Sequence, residues 1–180
     1  GETAFAQKQE LKGLLGYAPQ KSWLFSQSSS SMAILHKKAE LGDFFVIDYD
    51  FAGGAGEPTY LQTVVRWKLP ESKFPRVLIL SQGNDFEEDL EEFPLRFKIA
   101  DGFAAYTDDE AAARKFFSGK VASHLRAHKE MCLEVNGNEA FVFWDGEEVA
   151  VERLGDTIEE AKGLFALLQN QDPALKLSSK

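Results

Sequence analysis

The sequence predicts an α+β fold, a mainly antiparallel sheet of about six to eight strands with three or four helices packed on it. Three observations lead there. Short apolar-aromatic runs, several of them alternating with polar residues, recur from Met32 to Val151. The links between them are of hairpin length, which joins antiparallel neighbours, whereas parallel strands need long crossovers. Helical spacing is confined to the two ends and one internal stretch. At 180 residues, 44% of them hydrophobic, the chain can bury one core, and no repeat or linker divides it. One domain is expected over 1–180, with a helix and loop over 1–30, the core over 31–170 and a frayed tail over 171–180.

The elements follow in order. TAFAQKQELKGLL sets Leu11, Leu14 and Leu15 at helical spacing before Gly16, a plausible stop. SQSSSS, Ser26 to Ser31, reads as a polar loop. MAILHKK is a candidate strand. FFVIDYDF alternates, with Phe45, Ile47, Tyr49 and Phe51 on one face and Val46, Asp48 and Asp50 on the other. TYLQTVVRW has the β-branched and aromatic residues that suit a pleated surface. RVLILS is continuously apolar, as in a strand buried on both faces. LRFKIADG alternates Leu95, Phe97 and Ile99 against Arg96 and Lys98.

In DDEAAARKFFSGKVASHLRAH, Thr107 is the expected N-cap, and Ser118-Gly119 is expected to split the stretch into two short helices. MCLEVNGNEAFVFWDGEEVAVE carries Asn136-Gly137 and Asp145-Gly146, hairpin signals that predict a three-strand meander. The last helix, TIEEAKGLFALLQ, has Asp156 and Glu159 in capping-box register and is expected to bury Ile158, Ala161, Phe165 and Leu168.

Composition narrows the partners. A net charge of −9 argues against nucleic acid, whose phosphates recruit basic surfaces. No apolar run approaches the roughly 20 residues that span a bilayer. The single cysteine, Cys132, excludes an internal disulfide. The chain opens GETAFAQ, without an initiating methionine or a signal-peptide pattern, so it is expected to be an excised domain. A membrane anchor is a candidate for what precedes it.

The candidate sites each have a plainer reading. AGGAGE, Ala52 to Glu57, lacks the lysine and hydroxyl residue of a phosphate loop and precedes a strand rather than a helix; it reads as a hairpin tip. NDFEEDLEEF packs six carboxylates into eight residues without calcium-loop spacing, and reads as a solvated face over Phe86, Leu90 and Phe93. His124 and His128 share a helical face at metal-ligand spacing. Leu125 stands where a zinc protease has glutamate, and the better reading is packing against the sheet. Cys132 alternates with Met131 and Leu133 and reads as a buried, inert thiol. Asp48 and Asp50 share a strand face and are candidates to bind a cation or polarise a ligand, with a solvent-facing edge the commoner reading.

Ile47 to Val65, IDYDFAGGAGEPTYLQTVV, together with FKIADGFAAYTDDEAAARKFF and LEVNGNEAFVFW, resembles a pattern in uncharacterised bacterial proteins that commonly carry N-terminal membrane segments. The pattern is an aromatic-Asp-Tyr strand, a Gly-rich turn and a Gln-Thr-Val strand, and the similarity covers residues 43–170. Those proteins usually have a Ser/Thr-rich, lysine-containing turn where this chain has GGAGEP. The resemblance implies a bacterial origin and a membrane-tethered soluble domain, and transfers no catalytic residue.

The leading expectation is a non-enzymatic module that binds a protein or small ligand, without a cofactor and with membrane contact only through a segment outside this chain. The alternatives are a metal-dependent or other hydrolase using Asp48/Asp50 or His124/His128, and a domain that oligomerises through a sheet edge.

Overall fold

The computed structural model describes residues 28–39, 42–52, 59–69, 72–81, 93–117, 119–144 and 149–171. Side chains are described throughout this set except at 28–39, 42–43, 48–52, 59–61 and 151. The fold is α+β, as the alternating patterns predict. Its strands are β1 (Ser28–Ala39), β2 (Gly42–Ala52), β3 (Thr59–Lys68), β4 (Phe74–Ser81), β5 (Leu95–Ala100), β6 (Phe103–Thr107), β7 (Met131–Gly137) and β8 (Glu139–Trp144). They form one eight-stranded sheet in the order β1-β2-β3-β8-β7-β4-β6-β5, and every pairing is antiparallel. The helices are α1 (Glu110–Phe116), α2 (Gly119–Ala127) and α3 (Leu154–Gln171), with a 3-10 turn at Val151–Arg153.

All three helices lie on one face. Alternation along the strands sends Phe44, Val46, Val65, Trp67, Val77, Ile79, Leu133 and Val142 to that face, where they meet Phe116, Val121, Leu125, Leu164, Phe165 and Leu168. Phe165 stacks on Trp67 at 4.9 Å between ring centroids and lies 5.7 Å from Phe44, so aromatic contacts seat α3 over β2 and β3. Phe116 meets Phe74 edge-on at 5.5 Å and seats α1. The other face has its own buried cluster: Phe45, Ile47, Val64, Leu78, Leu80, Phe93, Ala104, Tyr106, Cys132, Phe141 and Phe143. In β4, Val77 to Leu80 are buried without interruption, the two-sided burial that RVLILS predicts.

Several local expectations are corrected. Ser28 to Ser31 belong to β1 rather than to a loop, because ten residues of β2 from Gly42 to Phe51 give their backbone a ladder to join. FAAYT, for which no element was expected, is the fully buried strand β6, entered through Gly102 at φ +83°. The β7–β8 turn is Gly137-Asn138, one residue later than Asn136-Gly137: Asn136 pairs with Glu139, and Gly137 takes φ +60° at the first turn position. Asp145-Gly146 lies outside the described residues, and among those that follow, from Val149 on, no third strand of the meander is found. Thr63 Oγ1 accepts the Val149 amide at 3.0 Å, and Val151 then opens the 3-10 turn that leads into α3.

Asp109, not Thr107, is the N-cap of α1, its carboxylate accepting the Ala112 amide at 3.0 Å. Thr107 ends β6, where its hydroxyl donates to the Arg76 carbonyl and accepts from the Asp109 amide. The helix α3 starts at Leu154, so Asp156 lies in its first turn instead of capping it; Thr157 and Leu164 join the buried stripe while Ile158 is half-buried. Extended backbone at Phe117 ends α1 just before Ser118-Gly119, and the predicted split into two helices is found. The helix expected at Leu11–Leu15, the acidic run over 84–92 and the tail lie outside the described residues.

Candidate functional site

Helical spacing puts His124 and His128 one turn apart on α2, and the structure packs their rings together, tilted, with centroids 4.5 Å apart and 33° between planes. Both are half-buried, and both reach α3. Gly163 makes that possible. A Cβ at Gly163 would lie 3.1 Å from His124 Cε1, so the missing side chain is the room the ring occupies. His128 Nδ1 is 3.6 Å from Glu160 Oε2, one turn earlier on α3.

Burial holds His124 below the ordinary imidazole pKa and the adjacent His128 adds to that, while a hydrogen bond to the Glu160 backbone and the Glu160 carboxylate pull the other way. Its Nε2 is buried without a hydrogen-bond partner among the described residues. Among the described residues, no group of three or more His, Cys, Asp or Glu is placed to hold a metal ion.

The two candidate carboxylates lie elsewhere. Asp48 sits on β2 opposite Thr63 of β3 and Met32 of β1; Asp50 sits opposite Leu61 and Ser30. Their side chains are outside the description. β2 is next to one edge of the sheet, whereas α2 packs on β5 at the other edge. Six strand steps at ~4.8 Å separate β2 from β5, on the order of 25–30 Å. The fold does not bring the aspartates and the histidines together. The strands that flank the glycine loop pair antiparallel as far as Ala52 and Thr59, which is the frame of a hairpin rather than of a strand-to-helix phosphate loop.

Cys132 is fully buried within the cluster on the face turned away from the helices, 3.7 Å from Ser81 Oγ. The sheet stands between this thiol and the two histidines, so proximity in sequence does not become proximity in space. Trp67 and Trp144 fill the interior on the helix face.

The sequence reading missed the polar groups that the sheet buries. Arg66 is 2% exposed, with its guanidinium 5.2 Å over the Phe45 ring and paired to Glu139. Glu134 is fully buried between Leu78 and Phe141 of its neighbouring strands. Gln62 Nε2 donates to the Trp144 carbonyl at 2.8 Å, beside the Thr63–Val149 bond. One signal was available, since Gln62 and Arg66 flank Val64 on the same alternation of an apolar strand. A charge placed there needs a partner.

The ends of α2 and α3 form an open depression lined by Gly119, Lys120, Leu167, Asn170 and Gln171. Among the described residues, no helix is long and apolar enough to cross a membrane.

No protein-family model matches the chain, and no curated protein matches it by sequence. Its fold is similar to the crystal structure of the mycobacterial trehalose monomycolate transport factor A, TtfA, with a TM-score of 0.66 over 96% of this chain and 89% of that one. Identity is 12%, so the likeness is one of fold.

Proposed function

We propose that this chain is a non-enzymatic binding module that docks a protein partner, in a bacterial protein held at a membrane by a segment outside this sequence. The observation that carries the reading is how its polar groups are spent. Arg66 and Glu139 neutralise each other in the interior, Thr63 and Gln62 fasten the segment that leads to α3, Cys132 is sealed, and His124 is wedged against Gly163. These contacts hold the fold and leave a surface for recognition rather than a reacting centre. The depression at the α2–α3 end is open rather than enclosed, which suits a protein contact better than a buried small molecule. The likeness to a transport factor adds support by analogy of fold alone.

The test is site-specific photocrosslinking in a bacterial host. A crosslinker at Lys120 or Asn170 is expected to trap one recurrent protein, whereas one at exposed Glu152 is not. Hydrolysis of an ester or phosphoester by the purified chain with added zinc or calcium, abolished by Asp48→Asn or His124→Asn, would replace this reading with the hydrolase.

A second reading rests on β1, twelve residues long and hydrogen-bonded among the described residues to β2 alone. Such an edge can pair with a second copy. Light scattering at high concentration decides it, because a strict monomer rules out edge-to-edge assembly.

A further inference from the structure

The seam between α2 and α3 contains more titratable chemistry than packing requires. Two imidazoles face one nearby carboxylate, that of Glu160. The other charged groups of α2 and its exit are Lys120, Arg126, Lys129 and Glu130. On α3, Glu159 is tied to Lys162 at 2.6 Å; on the β5 side, Lys98 is tied to Asp101 at 2.6 Å. We infer that the His124–His128 pair is an acid-sensitive latch on this seam, closed while the rings are neutral and packed together and loosened when His124 takes up a proton.

The geometry argues each step. Glu160 Oε2 is 3.6 Å from His128 Nδ1, so the one carboxylate on this side of the seam is already engaged with the neighbouring ring. A proton at His124 puts a charge in a half-buried ring that lies against Gly163 and 4.5 Å from the second imidazole. The protonated ring would also carry an N–H at Nε2, which has no acceptor among the described residues. Opening the seam hydrates all three groups. Its other end is the depression between Lys120 and Asn170, so acid would reshape the surface to which docking is assigned above, and the inference stands whether or not a partner binds there.

The sign follows from linkage. The His124 pKa is lowered in the folded chain, so the open state binds protons more readily. The closed seam keeps its stability above the ordinary value of about 6.5 and loses it as pH falls through the lowered native value. Each unit between the two values multiplies the opening equilibrium about tenfold.

The experiment is amide hydrogen exchange on the intact chain from pH 7.5 to 5.0, corrected for intrinsic rates, with NMR titration of the imidazole C–H signals. Protection in α2 and α3 is expected to fall with acid while β7 and β8 stay protected, and His124→Leu should abolish the pH-dependent part. If His124→Leu does not fold, the wild-type titration decides, with His36 and His128 assigned by His36→Asn and His128→Gln. A His124 ring that titrates at or above about 6.5, or α2 and α3 amides that track β7 and β8 at every pH, overturns the latch.

Discussion

Arg66 and Glu139, 73 residues apart in the chain, meet on the sheet face turned away from the helices, where Nε and Nη2 of the guanidinium both donate to Glu139 Oε1. Arg66 belongs to a row that crosses the sheet: Phe45, Arg66, Phe141, Glu134, Leu78, Tyr106 and Arg96 are successive register partners. Ring faces flank the guanidinium at 5.2 and 6.0 Å, so its positive charge is met by a carboxylate and by two aromatic quadrupoles. Breaking such a pair leaves a bare charge in the interior. Glu139→Leu alone should cost about 3–5 kcal/mol, and Arg66→Met added to it should restore most of the loss. Urea unfolding of the single and double variants measures both, and a single variant as mild as the double one would show that the charge finds water or another partner.

Thr63 is the hinge pin between the sheet and the approach to α3. Its hydroxyl is the acceptor for the Val149 amide, and Thr63 is fully buried. Thr63→Val keeps the shape and removes that acceptor, with an expected loss of about 1–3 kcal/mol. The same urea experiment checks it. Exchange of the Val149 amide should rise by more than that of the β7 amides.

Gly163 sets two effects against each other. An alanine in the middle of a helix should add about 1 kcal/mol over glycine. Here the new Cβ would press on His124 Cε1 at 3.1 Å, and the His128 ring, 4.5 Å away, crowds the same imidazole. Gly163→Ala is therefore expected to give little or no gain in melting temperature in the wild type. In a His124→Ala background the full propensity gain should appear. Equal gains in both backgrounds would mean that the ring moves aside freely.

Cys132 offers the least costly check on the interior. With no exposed surface, its thiol should resist a water-soluble disulfide reagent in the native chain and react at once in denaturant. Rapid native labelling would show that the face turned away from the helices opens on the timescale of the reagent.

Asp109 and Thr107 divide the work of turning from β6 into α1. The exposed cap, Asp109→Ala, should cost about 1 kcal/mol. Thr107→Val removes the donor to Arg76 O and the acceptor of the Asp109 amide, both partly buried, and should cost more. Thermal melts of the two variants rank them.

The sequence by itself determined the fold class, the two-sided burial of RVLILS, the break at Ser118-Gly119 and the interior place of Cys132. Each depends on local periodicity or on one residue's backbone preference, which a window of a few residues contains. Register was beyond its reach. Whether Ser28–Ser31 form a strand depends on β2 lying alongside, and whether Val149 joins a strand depends on a hydroxyl 86 residues earlier. Asp48 and His124 looked equally eligible as site residues until the strand order set β2 and the strand under α2 toward opposite edges of the sheet. Tertiary structure alone also decided the partners of Arg66 and of the two histidines. Glu139 and Gly163 carry no local mark of what they face, because a buried charge and a close approach are properties of two segments brought together and not of either one.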